Sequence, residues 1–399
     1  MSIPATIGVL GGGQLGRMLT LEAKRMGFRV VTLEPAEDSP CGQVADRQIV
    51  APYEDLEAVA ELGVESDVVT YEFENIPLNS VHFLEREGHI VRPSSEVLRI
   101  TQNRGTEKTF AHDIGLRTAG LHLVRGVYDL EAAYARLGLP LVLKTAFGGY
   151  DGKSQWIVRT PEEGEAALAQ ATERAATSVH HFPLQLLAES FVPFDCEISV
   201  IAARGAGGEQ IVFPVSENTH DHGILVTAIV PARVSEEIAA EARAATLLIG
   251  EKLGLIGAYC VEFFVRDGKI YVNEIAPRVH NSGHYSLDTM TVSQYEAHVR
   301  AICNLPLIES RLLEPSVMIN ILGQGTGDYL EHIPELLRDP CLKLHLYGKK
   351  HASPRRKMGH LTIHAPTLEE ALSRAARARA LLTWTHTRPD LMAAPVEAG

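Results

Sequence analysis

The sequence predicts an α/β domain followed by two α+β domains. Residues 1–104 alternate strand-like runs (TIGVL, FRVVTL, DVVTY) with the helical patterns QLGRMLTLEAKRMG and DLEAVAEL, as expected of a parallel sheet covered by helices. Residues 105–195 interleave the short strands LVLKTA, QWIVR and LQLLAES with helical patterns, which predicts a small α+β module. The longer strand-like runs EISVIAA, QIVFPV and ILVTAIV, with a helical pattern over about residues 235–253, predict a larger α+β domain over residues 196–399.

Composition limits the classes of function. The formal net charge of -13 disfavours binding to nucleic acid, whose phosphates reward an excess of lysine and arginine. No apolar run approaches the length of a membrane span, and no secretion signal precedes the first strand. The five cysteines are scattered and never form C-x-x-C, so neither a disulfide framework nor a thiolate zinc site is predicted. We therefore expect a cytoplasmic protein that acts on small molecules.

The stretch GVLGGGQLGRM, residues 8–18, raises the question of a dinucleotide site. Gly11, Gly13 and Gly16 fit G-x-G-x-x-G between a strand-like run and a helical pattern. Glu34 follows FRVVTL at the distance expected of the acidic residue that binds a ribose in NAD-dependent enzymes. By itself this segment predicts an NAD-dependent dehydrogenase, and the rest of the chain must decide.

A second glycine-rich segment, FGGYDGKSQ, lies between two strand-like runs. Amides of such a hairpin tip can fold over a polyphosphate while Lys153 adds positive charge. Lys144 lies in the apolar strand LVLKTA just upstream, where an unpaired ammonium is costly, so it calls for an anionic partner. The alternative is a mobile hairpin with a lysine that extends to solvent.

Two glutamates lie in the arms of the hairpin VEFFVRDGKIYVNE. If the hairpin turns on Asp267 and Gly268 alone, Glu262 faces Asn273 and Glu274 points to the other side. A longer turn or a bulge instead places Glu262 opposite Glu274. Such a pair favours a hard divalent cation such as Mg²⁺, with Asn273 as a further oxygen ligand in either register. The alternative is a pair of solvated surface glutamates.

Five motifs in order, GGGQLGRM, YEFENIP, FGGYDGKSQ, NEIAPRVHNSGH and KMGHL, resemble the 5-(carboxyamino)imidazole ribonucleotide synthetase family of purine biosynthesis. The resemblance implies an ATP-grasp fold with a Rossmann-like N-terminal domain, a small lid domain and a larger C-terminal domain. It implies a carbon–nitrogen ligase that uses ATP, Mg²⁺ and bicarbonate to carboxylate 5-aminoimidazole ribonucleotide (AIR), by way of carboxyphosphate. A homodimer is also implied.

The resemblance assigns residues to each ligand. Catalytic roles fall on Asp151, Lys349 and Arg356, and metal binding on Glu262 and Glu274. The predicted substrate-binding residues are Gln14, Leu15, Glu72, His280, Asn281, His284, Lys349 and Arg356. The predicted ATP-binding residues are Arg104, Lys144, Gly149, Tyr150, Asp151, Gly152, Lys153, Ser154, Gln155, Glu189, Ser190, Phe191, Val192, Glu197, His220 and Asn273. For His280 and His284, the alternative is that both are satisfied loop histidines.

The sequence departs from the family pattern at two places. Ser154 stands where the family usually has glycine, and the basic segment reads SPRRKMGH instead of RPGRKMGH. Which basic residues of 349–357 hold the AIR phosphate therefore stays open, and a solvated loop is the alternative. Apart from the dehydrogenase, two functions compete with this ligase. They are a formate-dependent glycinamide ribonucleotide transformylase, against which Gln14 and YEFEN argue, and a non-catalytic nucleotide-binding module.

Overall fold

The computed structural model of the protein describes residues 5–148, 155–177 and 185–386. The first part is a parallel sheet in the order β3-β2-β1-β4, as the alternating pattern predicted. Its elements are β1 (Thr6–Leu10), α1 (Gln14–Arg25), β2 (Arg29–Leu33), β3 (Arg47–Ile49), α2 (Leu56–Val64), β4 (Val68–Tyr71), α3 (Leu78–Arg86) and α4 (Ser95–Thr101). Because parallel strands end at the same edge, the glycine loop after β1 and the segment after β4 lie side by side.

The second part is an antiparallel sheet in the order β5-β8-β6-β7. Its helices bury Leu130, Ala133, Ala167 and Ala171 against that sheet. The elements are α5 (Arg104–Asp113), β5 (Leu121–Val124), α6 (Val127–Leu137), β6 (Leu141–Thr145), β7 (Gln155–Val158), α7 (Pro161–Thr177) and β8 (Leu186–Ser190).

The third part is a larger sheet in the order β14-β13-β9-β11-β12-β15-β18-β17, with β10 beside β9. Ser235 caps its longest helix through a bond from the Ile238 amide, at the boundary that the sequence predicted. The elements are β9 (Cys196–Arg204), β10 (Gln210–Val212), β11 (Ser216–Asp221), β12 (Ile224–Val230), α8 (Glu236–Leu253), β13 (Gly257–Arg266), β14 (Lys269–Ala276), a 3₁₀ turn (Asn281–Gly283), α9 (Ser286–Thr289), α10 (Gln294–Ile302), β15 (Ser316–Leu322), β16 (Tyr329–Leu330), α11 (Ile333–Leu336), β17 (Leu342–Leu346), β18 (Lys357–His364), α12 (Leu368–Ala380) and β19 (Trp384–Thr385).

The strand predicted over QIVFPV is shorter than expected, since β10 ends at Val212. The Phe213 amide still donates to the Ile201 oxygen (2.8 Å), and the pairing ends there because Pro214 has no amide hydrogen to give to a strand ladder. Within the described ranges, no helix is both long and apolar enough to cross a bilayer.

A buried histidine joins the first and third parts. His298 of α10 accepts a hydrogen bond at Nδ1 from the Ala258 amide (3.0 Å), so its Nε2 hydrogen is directed to Thr70 Oγ1 of β4 (2.9 Å). Burial lowers the pKa of His298 to about 4, so the imidazole is neutral in the folded protein at neutral pH. The contact therefore depends on one tautomer of an uncharged ring.

We predict that this histidine makes the protein less stable in acid. Unfolded His298 takes up a proton near pH 6.5 and the folded form only near pH 4, so stability is full above pH 6.5 and falls as the pH drops between these values. The loss reaches about 3 kcal/mol at pH 4. Urea unfolding of wild type and His298→Asn at several pH values measures it: the variant should be less stable at pH 7 but show a flatter acid dependence. Parallel curves would contradict the prediction.

Candidate active site

A cleft of about 1290 Å³ is lined by residues from all three sheets and their connecting loops. Of the predicted site residues that the structure describes, only Glu189 and His284 are absent from its lining. Those that line it are Gln14, Leu15, Glu72, Arg104, Lys144, Gln155, Ser190, Phe191, Val192, Glu197, His220, Glu262, Asn273, Glu274, His280, Asn281, Lys349 and Arg356. Residues 149–154, with the predictions made for Gly149, Tyr150, Asp151, Gly152, Lys153 and Ser154, lie outside the described residues.

The hairpin register places the two predicted metal ligands opposite each other. The turn uses only Asp267 and Gly268, with Arg266 facing Lys269, but the register shifts between Glu262 and Phe263. Glu262 therefore pairs with Glu274, and Phe263 with Val272. Of the two registers left open by the sequence, the one with a bulge is confirmed.

The charges around these glutamates fit a divalent cation. Burial, reinforced by the charge of Glu274 and partly offset by His220, raises the pKa of Glu262 to about 7. Burial also opposes ionisation of Glu274, but Arg104 Nη1 lies 3.1 Å from its Oε2 and keeps the pKa of that carboxyl below its ordinary value. Two close carboxylates and the neighbouring Asn273 amide form a donor set of oxygens, which Mg²⁺ prefers.

A histidine and a glutamate flank the predicted metal ligands. His220 Nδ1 lies 2.7 Å from Glu197 Oε2. Burial lowers the pKa of His220, but Glu197 and Glu262 outweigh that effect and raise it above the ordinary value of 6.5. His220 lies close enough to Glu262 to oppose the rise in the pKa of that carboxyl, and both side chains line the cleft.

Lys144 has a buried anionic partner. Its ammonium lies 2.7 Å from Glu189 Oε2, and both side chains are almost fully buried. The alternative of a lysine extending to solvent is therefore wrong. Glu189 Oε2 accepts a hydrogen bond from this ammonium, and the residue does not line the cleft. Burial and the lysines at 108 and 144 act on Glu189 in opposite directions, and the lysines win: its pKa falls to about 2.

The glycine loop is occupied by the protein's own carboxylates. Glu34 Oε2 accepts the Gly12 amide at 2.8 Å and the Tyr53 hydroxyl at 2.5 Å. Glu72 accepts the amides of Gly13 and Gly16 at the start of α1. In an NAD-dependent enzyme these amides face a pyrophosphate. Two carboxylates in that place repel such a ligand, so the role of Glu34 as a ribose contact in a dinucleotide site is not supported.

A lysine links the first and third parts across the cleft. Lys349 Nζ donates to Gln14 Oε1 (2.9 Å) and to the backbone oxygen of Lys357 (2.7 Å). Arg356 lines the same end of the cleft and donates to the His351 carbonyl. Lys349 and Arg356 of the predicted basic cluster therefore face the cleft. The alternative of a wholly solvated loop is not supported for these two residues.

The two histidines of RVHNSGH have different surroundings. His280 lines the cleft, with Nε2 3.6 Å from Glu262 Oε1. His284 is buried behind the wall and its Nδ1 bonds to the Tyr295 hydroxyl at 2.9 Å, as expected of a satisfied histidine. Between them, neither Oδ1 nor Nδ2 of buried Asn281 has a hydrogen-bond partner among the described residues, so this amide is available to a ligand.

The fold brings into the cleft several residues that were not predicted from the sequence. Arg278 makes a two-pronged ion pair with Glu74, with distances of 2.5 and 3.1 Å. On the side of the second sheet, Arg174 lies over the Trp156 ring, 5.5 Å from its centroid. Glu74 and Arg278 stand inside YEFENIP and NEIAPRVHNSGH, so a charged residue within each motif was the available signal. Arg174 carried no such signal, being one residue of an ordinary helix.

Three family models match consecutive parts of the chain. They are the ribonucleotide synthetase preATP-grasp domain (residues 4–102), the ATP-grasp domain (109–295) and the phosphoribosylaminoimidazole carboxylase C-terminal domain (316–374). The chain therefore has the ATP-grasp fold, as its sequence predicted.

Individual relatives match over nearly the whole length. N5-carboxyaminoimidazole ribonucleotide synthase of Bacillus subtilis is 45% identical over 90% of this chain and 91% of its own. The crystal structure of the synthetase from Thermotoga maritima has a TM-score of 0.85 at 38% identity, covering 96% of this chain and 100% of that one. The Aspergillus clavatus synthase, in complex with ADP and 5-aminoimidazole ribonucleotide, has a TM-score of 0.85 at 31% identity and covers 94% and 98%. The chain belongs to the N5-carboxyaminoimidazole ribonucleotide synthase family of ATP-grasp ligases.

Proposed function

We propose that this enzyme uses ATP and bicarbonate to carboxylate the exocyclic amine of AIR, with release of ADP and phosphate. The observation that carries the proposal is the facing pair Glu262 and Glu274, which lines the same cleft as the Lys349 and Gln14 contact. The residues proposed to act in phosphoryl transfer and those proposed to bind AIR therefore line one cleft. Two substrates held there can react without diffusing apart.

At the nucleotide end, Arg104 and Lys144 supply positive charge against the phosphates of ATP. Each is held by a carboxylate, Arg104 by Glu274 and Lys144 by Glu189, so neither has to reorganise when charge spreads over the transferred phosphoryl group. Ser190 ends β8, and Phe191 and Val192 follow that strand; all three line the cleft and are proposed to contact the adenine. Glu197 and His220 contact each other and line the same cleft.

Glu262 and Glu274, with Asn273, would hold magnesium. When bound, the ion neutralises charge on the phosphate oxygens. Burial, and then the like charge of Glu274, raise the pKa of Glu262, and a divalent cation would favour the ionised carboxylate.

At the AIR end, we propose that Glu72, Gln14 and Leu15 hold the ribose and the aminoimidazole. Bicarbonate is a poor electrophile, and phosphorylation turns its hydroxyl oxygen into a leaving group as carboxyphosphate. The AIR amine then attacks the carboxyl carbon, phosphate leaves, and the amine loses a proton, for which Asp151 is the proposed acceptor. Lys349 is proposed to stabilise the charge that develops on the carboxylate oxygens. Arg356, His280 and Asn281 are proposed to hold the phosphate of AIR or bicarbonate.

We further propose that the enzyme is a cytoplasmic homodimer, and that its domains are divided near residues 104 and 195. Gel filtration with light scattering measures the oligomeric state, and limited proteolysis locates the domain boundaries.

Initial rates of ADP release test the function directly. ADP should form with bicarbonate and increase with AIR, and ¹³C-bicarbonate should appear in the carboxyamino product. Formate with glycinamide ribonucleotide should give no turnover, and NADH should not bind. Turnover with formate, or none with AIR, would overturn the proposal.

We predict that Gly13→Ala weakens AIR binding. A Cβ at this position would lie 2.5 Å from Glu72 Oε1, so the carboxylate must leave the amides that it accepts. We expect about a tenfold weaker affinity for AIR, the effect of one lost bond to a charged group, with ADP affinity unchanged. Calorimetric titration measures both. Gly126→Ala is the control, because a Cβ there meets nothing within 4 Å.

A further inference from the structure

Helix α5 runs along the outer edge of β14 at the bulge. Three of its side chains contact that strand. Arg104 binds the Glu274 carboxylate (3.1 Å), Glu107 Oε1 accepts the Ile275 amide (2.5 Å), and Lys108 Nζ donates to the backbone oxygens of Val272 (2.9 Å) and Asn273 (2.6 Å). Glu107 and Lys108 are 1% and 2% exposed, so neither has bulk water as an alternative partner.

The bonds of Lys108 mark the bulge itself. In a regular strand, successive carbonyl groups point to opposite edges, so one ammonium cannot reach two of them in a row. The amide of Val272 donates to the Arg117 oxygen at 2.8 Å, so the backbone groups of Val272 face the outer edge. The Asn273 carbonyl, which would face β13 in a regular ladder, instead shares the same ammonium as the Val272 carbonyl. Lys108 therefore satisfies the oxygen that the bulge releases from the ladder.

Glu107 holds the strand on the other side of Glu274. Its carboxylate accepts from the next residue, Ile275, so α5 grips the backbone both before and after the metal ligand. Burial and the negative charge of Glu274 raise the pKa of Glu107 to about 8, although the charge of Lys108 acts in the opposite direction. A buried acid and a buried amine side by side are costly to keep unless both are hydrogen-bonded, as they are here.

The bulge decides whether the two glutamates face each other. Without it, a turn on Asp267 and Gly268 places Glu262 opposite Asn273 and directs Glu274 to the other face. We propose that Lys108 and Glu107 are positioning residues that hold this bulge and so set Glu262 and Glu274 for binding of the metal–nucleotide. This inference rests on the proposed role of those glutamates as metal ligands, and it does not depend on which substrate is carboxylated.

Binding of Mn²⁺ to the enzyme in the presence of ADP tests the inference without AIR, bicarbonate or turnover. Paramagnetic resonance of free Mn²⁺ gives the affinity. Lys108→Met should weaken it by about 10- to 100-fold, the usual effect of losing a group that orients a metal ligand. AIR affinity, measured by calorimetry, should be unchanged. His112→Ala, an exposed position on the same helix, is the control and should bind Mn²⁺ as wild type does.

A matched pair at Glu107 keeps the test decisive if Lys108→Met does not fold. Glu107→Gln retains an oxygen that can accept the Ile275 amide, so this variant should bind Mn²⁺ nearly as wild type does. Glu107→Leu has no such oxygen and should bind Mn²⁺ more weakly than wild type. Wild-type Mn²⁺ affinity in both Lys108→Met and Glu107→Leu would overturn the inference, as would equal losses of Mn²⁺ and AIR affinity. If wild type binds Mn²⁺ with ADP and these variants weaken it, the inference stands even when AIR proves not to be the substrate.

Discussion

Replacing Glu274 by glutamine is expected to abolish ADP formation while leaving AIR affinity unchanged. Glu274 faces Glu262 across the hairpin, contacts Arg104 and lies in the cleft, so its charge serves both the proposed metal and the phosphate-binding arginine. Glutamine keeps the size of the side chain and removes the charge. We expect the rate of ADP release to fall by at least about 100-fold, the upper end of the loss caused by a group that only orients a metal ligand.

Initial-rate ADP release and calorimetric titration with AIR measure the two effects. The control is Glu241→Gln. Glu241 lies on α8 and forms an exposed ion pair with Arg117, so this variant loses one charge away from the cleft and should behave as wild type. Equal loss of ADP formation and AIR affinity in Glu274→Gln would show that the residue supports the fold and would count against a metal-binding role.

Replacing Lys349 by methionine is expected to reduce kcat/KM for AIR by about 10- to 100-fold, the effect of losing a hydrogen bond to a charged group. The ammonium bridges Gln14 of α1 and the backbone at Lys357, so it joins two walls of the cleft at the end proposed for AIR. ATP affinity should be unchanged, because other residues form the end of the cleft that is proposed to bind the nucleotide.

The ratio of ADP formed to carboxylated product gives a second measure for Lys349→Met. If Lys349 assists carboxyl transfer, carboxyphosphate formed in the variant hydrolyses before it reacts, and ADP release should exceed product. Lys343→Met makes the same charge change at an exposed position of β17 and should keep the wild-type ratio. A loss of ATP affinity equal to the loss of AIR affinity would contradict the assignment.

Local patterns in the sequence were sufficient for the order of elements and for much of the site. The alternation of strands and helices in residues 1–104 predicted the parallel sheet, and the helical pattern over about residues 235–253 predicted α8, because both depend on neighbours in the chain. Glu262 and Glu274 were also predicted from the sequence by their places in the hairpin VEFFVRDGKIYVNE, and Lys349 by the resemblance to the family. All of them line the cleft.

Contacts between distant segments decided what the sequence left open. The bulge opposite Glu262 is held by Lys108, more than a hundred positions away, so hairpin length alone could not choose the register. The glycine loop could not be told from a dinucleotide site until Glu34 and Glu72 were seen to accept its amides. Spacing along the chain reports on local geometry, whereas the partner of a buried charge is set by packing across the whole molecule, and only the tertiary structure contains that information.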